Sequence, residues 1–179
     1  MLGKNSAAHS LDFLGAVKNA RISNMEISHD ELAKFLNAAN KATYANRDAS
    51  KSVSLRPSSE DYHFEQGDLT YHDTYFGIRD FIGEEIIYTA DKPVWGMNYY
   101  GHVLNPDVST KDAYTILRPA LMQKYDDILP VRGPREYVLE NSKYTNKVEG
   151  TLDRFSGEEN IYLNGELIYR CWYHGGSIE

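Results

Sequence analysis

One six-residue segment of this chain occurs twice, and that recurrence constrains the fold more than any other feature. Gly83-Glu84-Glu85-Ile86-Ile87-Tyr88 is matched by Gly157-Glu158-Glu159-Asn160-Ile161-Tyr162, from position 83 to position 157, an offset of 74 residues. The offset holds without a gap to Gly101 and Gly175, with seven identities in nineteen columns. With small gaps, residues 28–36 resemble 109–117, and Arg56-Pro57 with Glu60-Asp61-Tyr62 resembles Arg132-Gly133-Pro134-Arg135-Glu136-Tyr137. Chance similarity of two β-rich segments is the competing reading, but the matches keep the same order and predict a duplication. The expected fold is therefore α+β: two units, each a helix plus a four-stranded antiparallel meander, related by a pseudo-twofold, with the eight strands in a continuous curved sheet, a split barrel or a sandwich. Residues 1–27 are expected to form a weakly structured lead-in. Residues 28–179 would form a single duplicated domain, with repeats at 28–104 and 109–178.

Local signals support those elements. Ser28-His29-Asp30-Glu31 is a capping box, followed by Leu32, Phe35, Leu36 and Ala39 on one helical stripe. A second helix starts near Ser109, and Pro119 should kink or split it. Strand patterns cover 62–66, 69–76, 81–89 and 93–100, joined by turns too short for parallel crossovers. Four more strand candidates close the chain, the last two joined by a hairpin turn at Asn164-Gly165.

Composition narrows the function classes. A net charge of −7 with no basic run argues against direct nucleic-acid or anionic-membrane binding. Cys171 is the single cysteine, which removes intramolecular disulfides and thiolate zinc sites. The histidines show no metal-ligand spacing, so neither metal nor cofactor is expected. No apolar run reaches the length of a membrane span, and the expected compartment is the cytoplasm. Fourteen tyrosines read either as strand formers or as the lining of an aromatic groove.

Counting outward from the Asn164-Gly165 turn pairs Ile161 with Ile168, Glu159 with Arg170 and Gly157 with Trp172. Transferred to the first half, this register places Glu85, Asn98, Tyr100, Glu159, Trp172 and His174 on one mixed face. The glycines on that face leave room for ring packing or for a ligand. Ile82, Ile86, Trp95, Met97 and Tyr99 fall on the other face, as core. Arg56 and Arg132, on matching Pro-flanked loops, are candidates to hold a carboxylate or phosphate, or to tie their loops by salt bridges. Glu85 and Glu159 are a candidate carboxylate pair, with Glu85 the freer because Gly96 stands where the second half has Arg170.

Further residues carry a family resemblance: Asp73-Thr74-Tyr75-Phe76-Gly77, Pro93-Val94-Trp95-Gly96-Met97-Asn98-Tyr99-Tyr100-Gly101, the Arg132 loop and Tyr173-His174-Gly175-Gly176. In these the chain resembles a bacterial domain family of unknown function. That family is found as a stand-alone protein or behind helix-turn-helix regions of the xenobiotic-response-element type. The resemblance implies a sensor or regulatory role and brings no catalytic residues with it. The expected function is a non-catalytic small-molecule-binding or sensing module linked to regulation. The alternatives are a hydrolase using Glu85, Glu159 and His174, or a protein-interaction module.

Overall fold

Ser28 opens the first helix as its capping box requires. The computed structural model describes residues 27–123 and 125–179, so the lead-in expected over 1–27 lies, except for Ile27, outside the described residues. Glu31 N donates to Ser28 Oγ and Ser28 N donates to the Glu31 carboxylate, starting α1 (His29–Ala42). Its stripe of Leu32, Phe35, Leu36 and Ala39 is buried. Ser109 caps α2 (Thr110–Leu121) by accepting from Asp112 N. Pro119 falls in the last turn of α2, where the helix is about to end, so the helix is not split.

The strands are β1 (Glu60–Gln66), β2 (Leu69–Gly77), β3 (Asp80–Thr89), β4 (Lys92–Val103), β5 (Glu136–Leu139), β6 (Ser142–Thr151), β7 (Arg154–Leu163) and β8 (Glu166–Ser177). They form one eight-stranded sheet in the order β1-β2-β3-β4-β8-β7-β6-β5, and neighbouring strands run antiparallel. Strands take 49% and helices 17% of the described residues. α1 packs over β1, and α2 over β5, β6 and β7.

This architecture corrects the expected α+β duplication of helix-plus-meander units. β4 and β8 pair from Trp95↔Ser177 to Val103↔Tyr169, so the sheet continues across the middle with no seam between units. A single hydrophobic core also runs from Leu32 and Phe35 in α1 through Trp95 and Ile168 to Leu117 in α2. The matched columns have a local cause. Gly83 and Gly157 each lie under a tyrosine ring: a Cβ would stand 2.4 Å from the Tyr99 hydroxyl at Gly83 and 2.3 Å from the Tyr173 ring at Gly157. Those slots let Tyr99 reach Asp73 and Tyr173 reach Asn146.

Two bulges also overturn the expected register. Leu163↔Glu166 and Tyr162↔Leu167 pair as the turn dictates, but the next pair is Ile161↔Tyr169, leaving Ile168 as an extra residue. Glu159 therefore faces Cys171 rather than Arg170, and Gly157 faces Tyr173 rather than Trp172. Val94 is the extra residue between Ile87↔Trp95 and Tyr88↔Pro93, so Glu85 faces Met97 and Gly83 faces Tyr99. A one-residue shift moves a whole strand segment to the other face. Ile82 and Ile86, expected as core, turn outward, and Ile82 is 55% exposed.

Gly83→Ala is expected to cost about 1–3 kcal/mol by forcing the Tyr99 ring off its slot. Urea unfolding measures this, and a loss near zero would show that the ring has other places to go.

Candidate functional site

The inner face of the sheet holds a polar cluster in an otherwise apolar core. Its centre is Arg132, 6% exposed, from the segment between α2 and β5. That segment is tied to the sheet: Asn146 Nδ2 donates to Gly133 O at 2.8 Å, and Gly133 N donates to the Tyr144 hydroxyl at 3.2 Å. The Tyr125 hydroxyl donates to Arg132 O. So fixed, the guanidinium lies over the Tyr99 ring, 5.6 Å from its centroid.

Arg132 Nη2 and Nε donate to Glu159 at 2.7 and 3.3 Å. The hydroxyls of Tyr144 and Tyr169 donate to the same carboxylate at 2.8 and 2.9 Å. Glu159 is thus paired and hydrogen-bonded on both oxygens, the condition under which a buried charge is tolerated. Glu85, from β3, meets the other edge of the guanidinium, with Oε1 3.6 Å from Nη1. β3 and β7 are not neighbours in the sheet, so Arg132 bridges two glutamates that β4 and β8 separate.

Glu85 is the less satisfied of the two. Among the described residues its Oε2 lacks a hydrogen bond of good geometry, and the Tyr71 hydroxyl beside it gives only weak support to the same carboxyl. Asp73, from β2, accepts from the Tyr99 hydroxyl at 2.7 Å. Burial raises the Glu85 carboxyl to about 8, the Asp73 charge adds to the rise, and Arg132 opposes it. Burial likewise raises Asp73 to about 7, against the Tyr99 hydrogen bond and Arg132. A single buried guanidinium faces three buried carboxyl groups, and Asp73 and Glu85 respond by holding protons into the neutral range. The expected asymmetry is present, with Glu85 the freer group, but its cause is Arg132 rather than Arg170.

A cavity of about 460 Å³ opens from this cluster. Asp73, Tyr99 and Arg132 line it on the sheet side, Tyr44 follows α1, and Tyr114 and Arg118 project from α2. Arg118 lies over the Tyr44 ring, 5.9 Å from its centroid, and its Nε is buried without a hydrogen-bond partner. The Arg118 charge also lowers Tyr75 and Tyr114, although burial dominates and raises both, Tyr114 to about 12. Lys51 and Glu60, also in the lining, pair at 2.7 Å.

Of the residues singled out in the sequence, Glu85, Glu159 and Arg132 come together here. The other five do not. Asn98 and His174 are cross-strand partners on the outer face, as are Tyr100 and Trp172, each 42% exposed. Trp172 Nε1 donates to Glu158 at 2.7 Å, and Arg170 lies over the Trp172 ring and donates to Asn160. Arg56 forms a half-exposed pair with Glu84 at 2.8 Å, so it does not match the buried Arg132. Because the bulges turned the glutamates inward, the sheet separates His174 from both. Sequence reasoning missed Asp73, Tyr44 and Arg118. Asp73 carried one usable signal, an acidic residue between Tyr71 and Tyr75 at inward-facing positions.

Among the described residues no group of three or more His, Cys, Asp or Glu side chains could hold a metal ion. Among them, too, no helix is long and apolar enough to cross a membrane. A family model described as a domain of unknown function (DUF5680) matches residues 73–178, more than half of the chain. The match takes in Asp73, Glu85, Arg118, Arg132 and Glu159 but not Tyr44. Comparison with curated proteins and with solved structures found no match.

Proposed function

We propose, for a chain that belongs to the DUF5680 family of unknown function, that the inner-face cavity binds a small organic molecule and that the protein acts as a sensing module. The observation that carries this reading is a cavity of about 460 Å³ with tyrosine walls and a few charged groups converging on it. That volume lies in the range of small-molecule sites, about 300–1,000 Å³, and ring walls with a few convergent polar groups are their usual lining. Arg118, Asp73 and Arg132 supply the charged groups of that lining, beside the rings of Tyr44, Tyr75, Tyr99 and Tyr114.

A regulatory role is supported by the resemblance to a bacterial family found behind helix-turn-helix regions. A signal has a physical route, because a ligand touching Arg132 or Asp73 bears on the cluster that joins β2, β3 and β7. One observation favours a second reading, a protein-interaction module: Ile82, Tyr100 and Trp172 leave apolar surface exposed on the outer face.

The test is a fragment screen read by NMR on protein labelled with ¹³C in the tyrosine rings, with Tyr44→Phe and Tyr114→Phe to assign the signals. Hits should shift the rings of Tyr44, Tyr75, Tyr99 and Tyr114. A broad screen in which no compound moves these rings would contradict the reading.

A further inference from the structure

The charges around the cavity are unevenly matched. Lys51 is paired with Glu60, and Arg132 is committed to Glu159 at 2.7 Å. Asp73, the remaining acid of the lining, already accepts from the Tyr99 hydroxyl and carries a proton for part of the time at neutral pH. Among the described residues Arg118 has no acidic partner. Its place in the last turn of α2 suits a cation, since unpaired carbonyls gather there. That explanation accounts for the charge but not for its place in the wall of a cavity. Arg118 is therefore the cation of the lining that has no acidic partner among the described residues.

The shape around Arg118 adds a second constraint. Its guanidinium lies over the Tyr44 ring, 5.9 Å from the centroid, and Arg118 is part of the cavity lining. A guanidinium fork matches the two oxygens of a carboxylate, and a charge-assisted pair is stronger than a neutral one. The rings of Tyr75, Tyr99 and Tyr114 then offer faces and edges to the rest of the molecule. A cationic ligand would meet Arg118 and Arg132 together. A neutral one would leave the Arg118 charge uncompensated in a partly desolvated site.

We infer that the ligand is a small organic acid with a ring-bearing body, its carboxylate held by Arg118 against Tyr44 and its ring between the cavity tyrosines. This rests on the reading of the cavity as a small-molecule site and specifies the ligand's chemistry.

The experiment compares three probes of matched size: phenylacetate, phenylacetamide and phenethylamine. Each is titrated into the full chain at pH 7.5 while the labelled tyrosine rings are followed by NMR. Phenylacetate should bind at least tenfold more tightly than the amide, and the amine more weakly still. Arg118→Gln should erase the preference for the acid, Arg118→Lys should keep part of it, and thermal melts establish that both variants are folded. If the amide or amine shifts the cavity tyrosines as strongly as the acid does, the acid assignment is overturned while the cavity remains a binding site. A preference for the acid that survives Arg118→Gln would overturn the assignment in the same way. If none of the three moves those rings, the assignment falls and the cavity reading loses its support as well.

Discussion

Arg132→Ala should cost about 3–5 kcal/mol of folding stability, because it leaves a buried, ionised Glu159 without its cation. Glu159 is fully buried and takes two of its four hydrogen bonds from that guanidinium. Glu85 loses the same partner at 3.6 Å. The truncation also opens a void under Tyr99, whose ring the guanidinium covers. The double variant Arg132→Met with Glu159→Leu should be less damaging than the sum of its two single changes, since no charge is then stranded. Urea unfolding of the four proteins closes the cycle. A loss below about 1 kcal/mol for Arg132→Ala would mean that water reaches Glu159 and that the cluster is not dry.

The second large effect is in the pH dependence. In the unfolded chain Asp73 and Glu85 ionise near pH 4, whereas in the fold they hold protons up to about 7 and about 8. Between those limits the folded state binds more protons than the unfolded one, so stability falls as pH rises. The contribution is fully present below about pH 4, is lost through the window from about 4 to 8, and changes little above it. Glu85→Gln removes one titrating group and keeps the shape. The variant should match the parent near pH 4.5 and exceed it by a few kcal/mol near pH 8.5. Asp73, Arg132, Glu159, Tyr71 and Tyr99 all surround Glu85, so the residual slope in Glu85→Gln belongs chiefly to Asp73. Melting curves across pH 4.5–8.5 decide this, and a parent that gains stability toward alkaline pH would reverse the assignment.

Much of the secondary structure could be read from local chemistry. The capping box at Ser28, the cap at Ser109 and the Asn164-Gly165 turn each place an element end through neighbouring residues alone. The antiparallel character of the strands also followed from turn length. The choice of one continuous sheet over a split barrel or a sandwich did not, because the pairing of β4 with β8 joins residues far apart in the chain, and no short motif encodes it. The 74-residue offset suggested two units. In the structure its strongest columns are tyrosine-over-glycine slots within one sheet.

The candidate site divides along the same line. Glu85, Glu159 and Arg132 stood out by their matching positions, and they do meet. Glu85 and Glu159 were grouped with Asn98, Tyr100, Trp172 and His174 on the face away from the core because Val94 and Ile168, the bulge residues, look like ordinary strand residues. Bulges with glycine in a left-handed conformation announce themselves in a sequence, and these do not. Tyr44 and Arg118 come from helices whose apolar stripes were visible, but which polar residue flanks a cavity depends on how each helix lies on the sheet.

The most direct test of the cavity assignment is a crystal structure of the protein with the tightest binder from an unbiased fragment screen. The compound should occupy the inner-face cavity, against Tyr44 and within hydrogen-bond reach of the Arg118 guanidinium or Asp73. A compound bound instead on the outer face, at Tyr100, Trp172 and His174, with the inner cavity unchanged, would contradict the assignment.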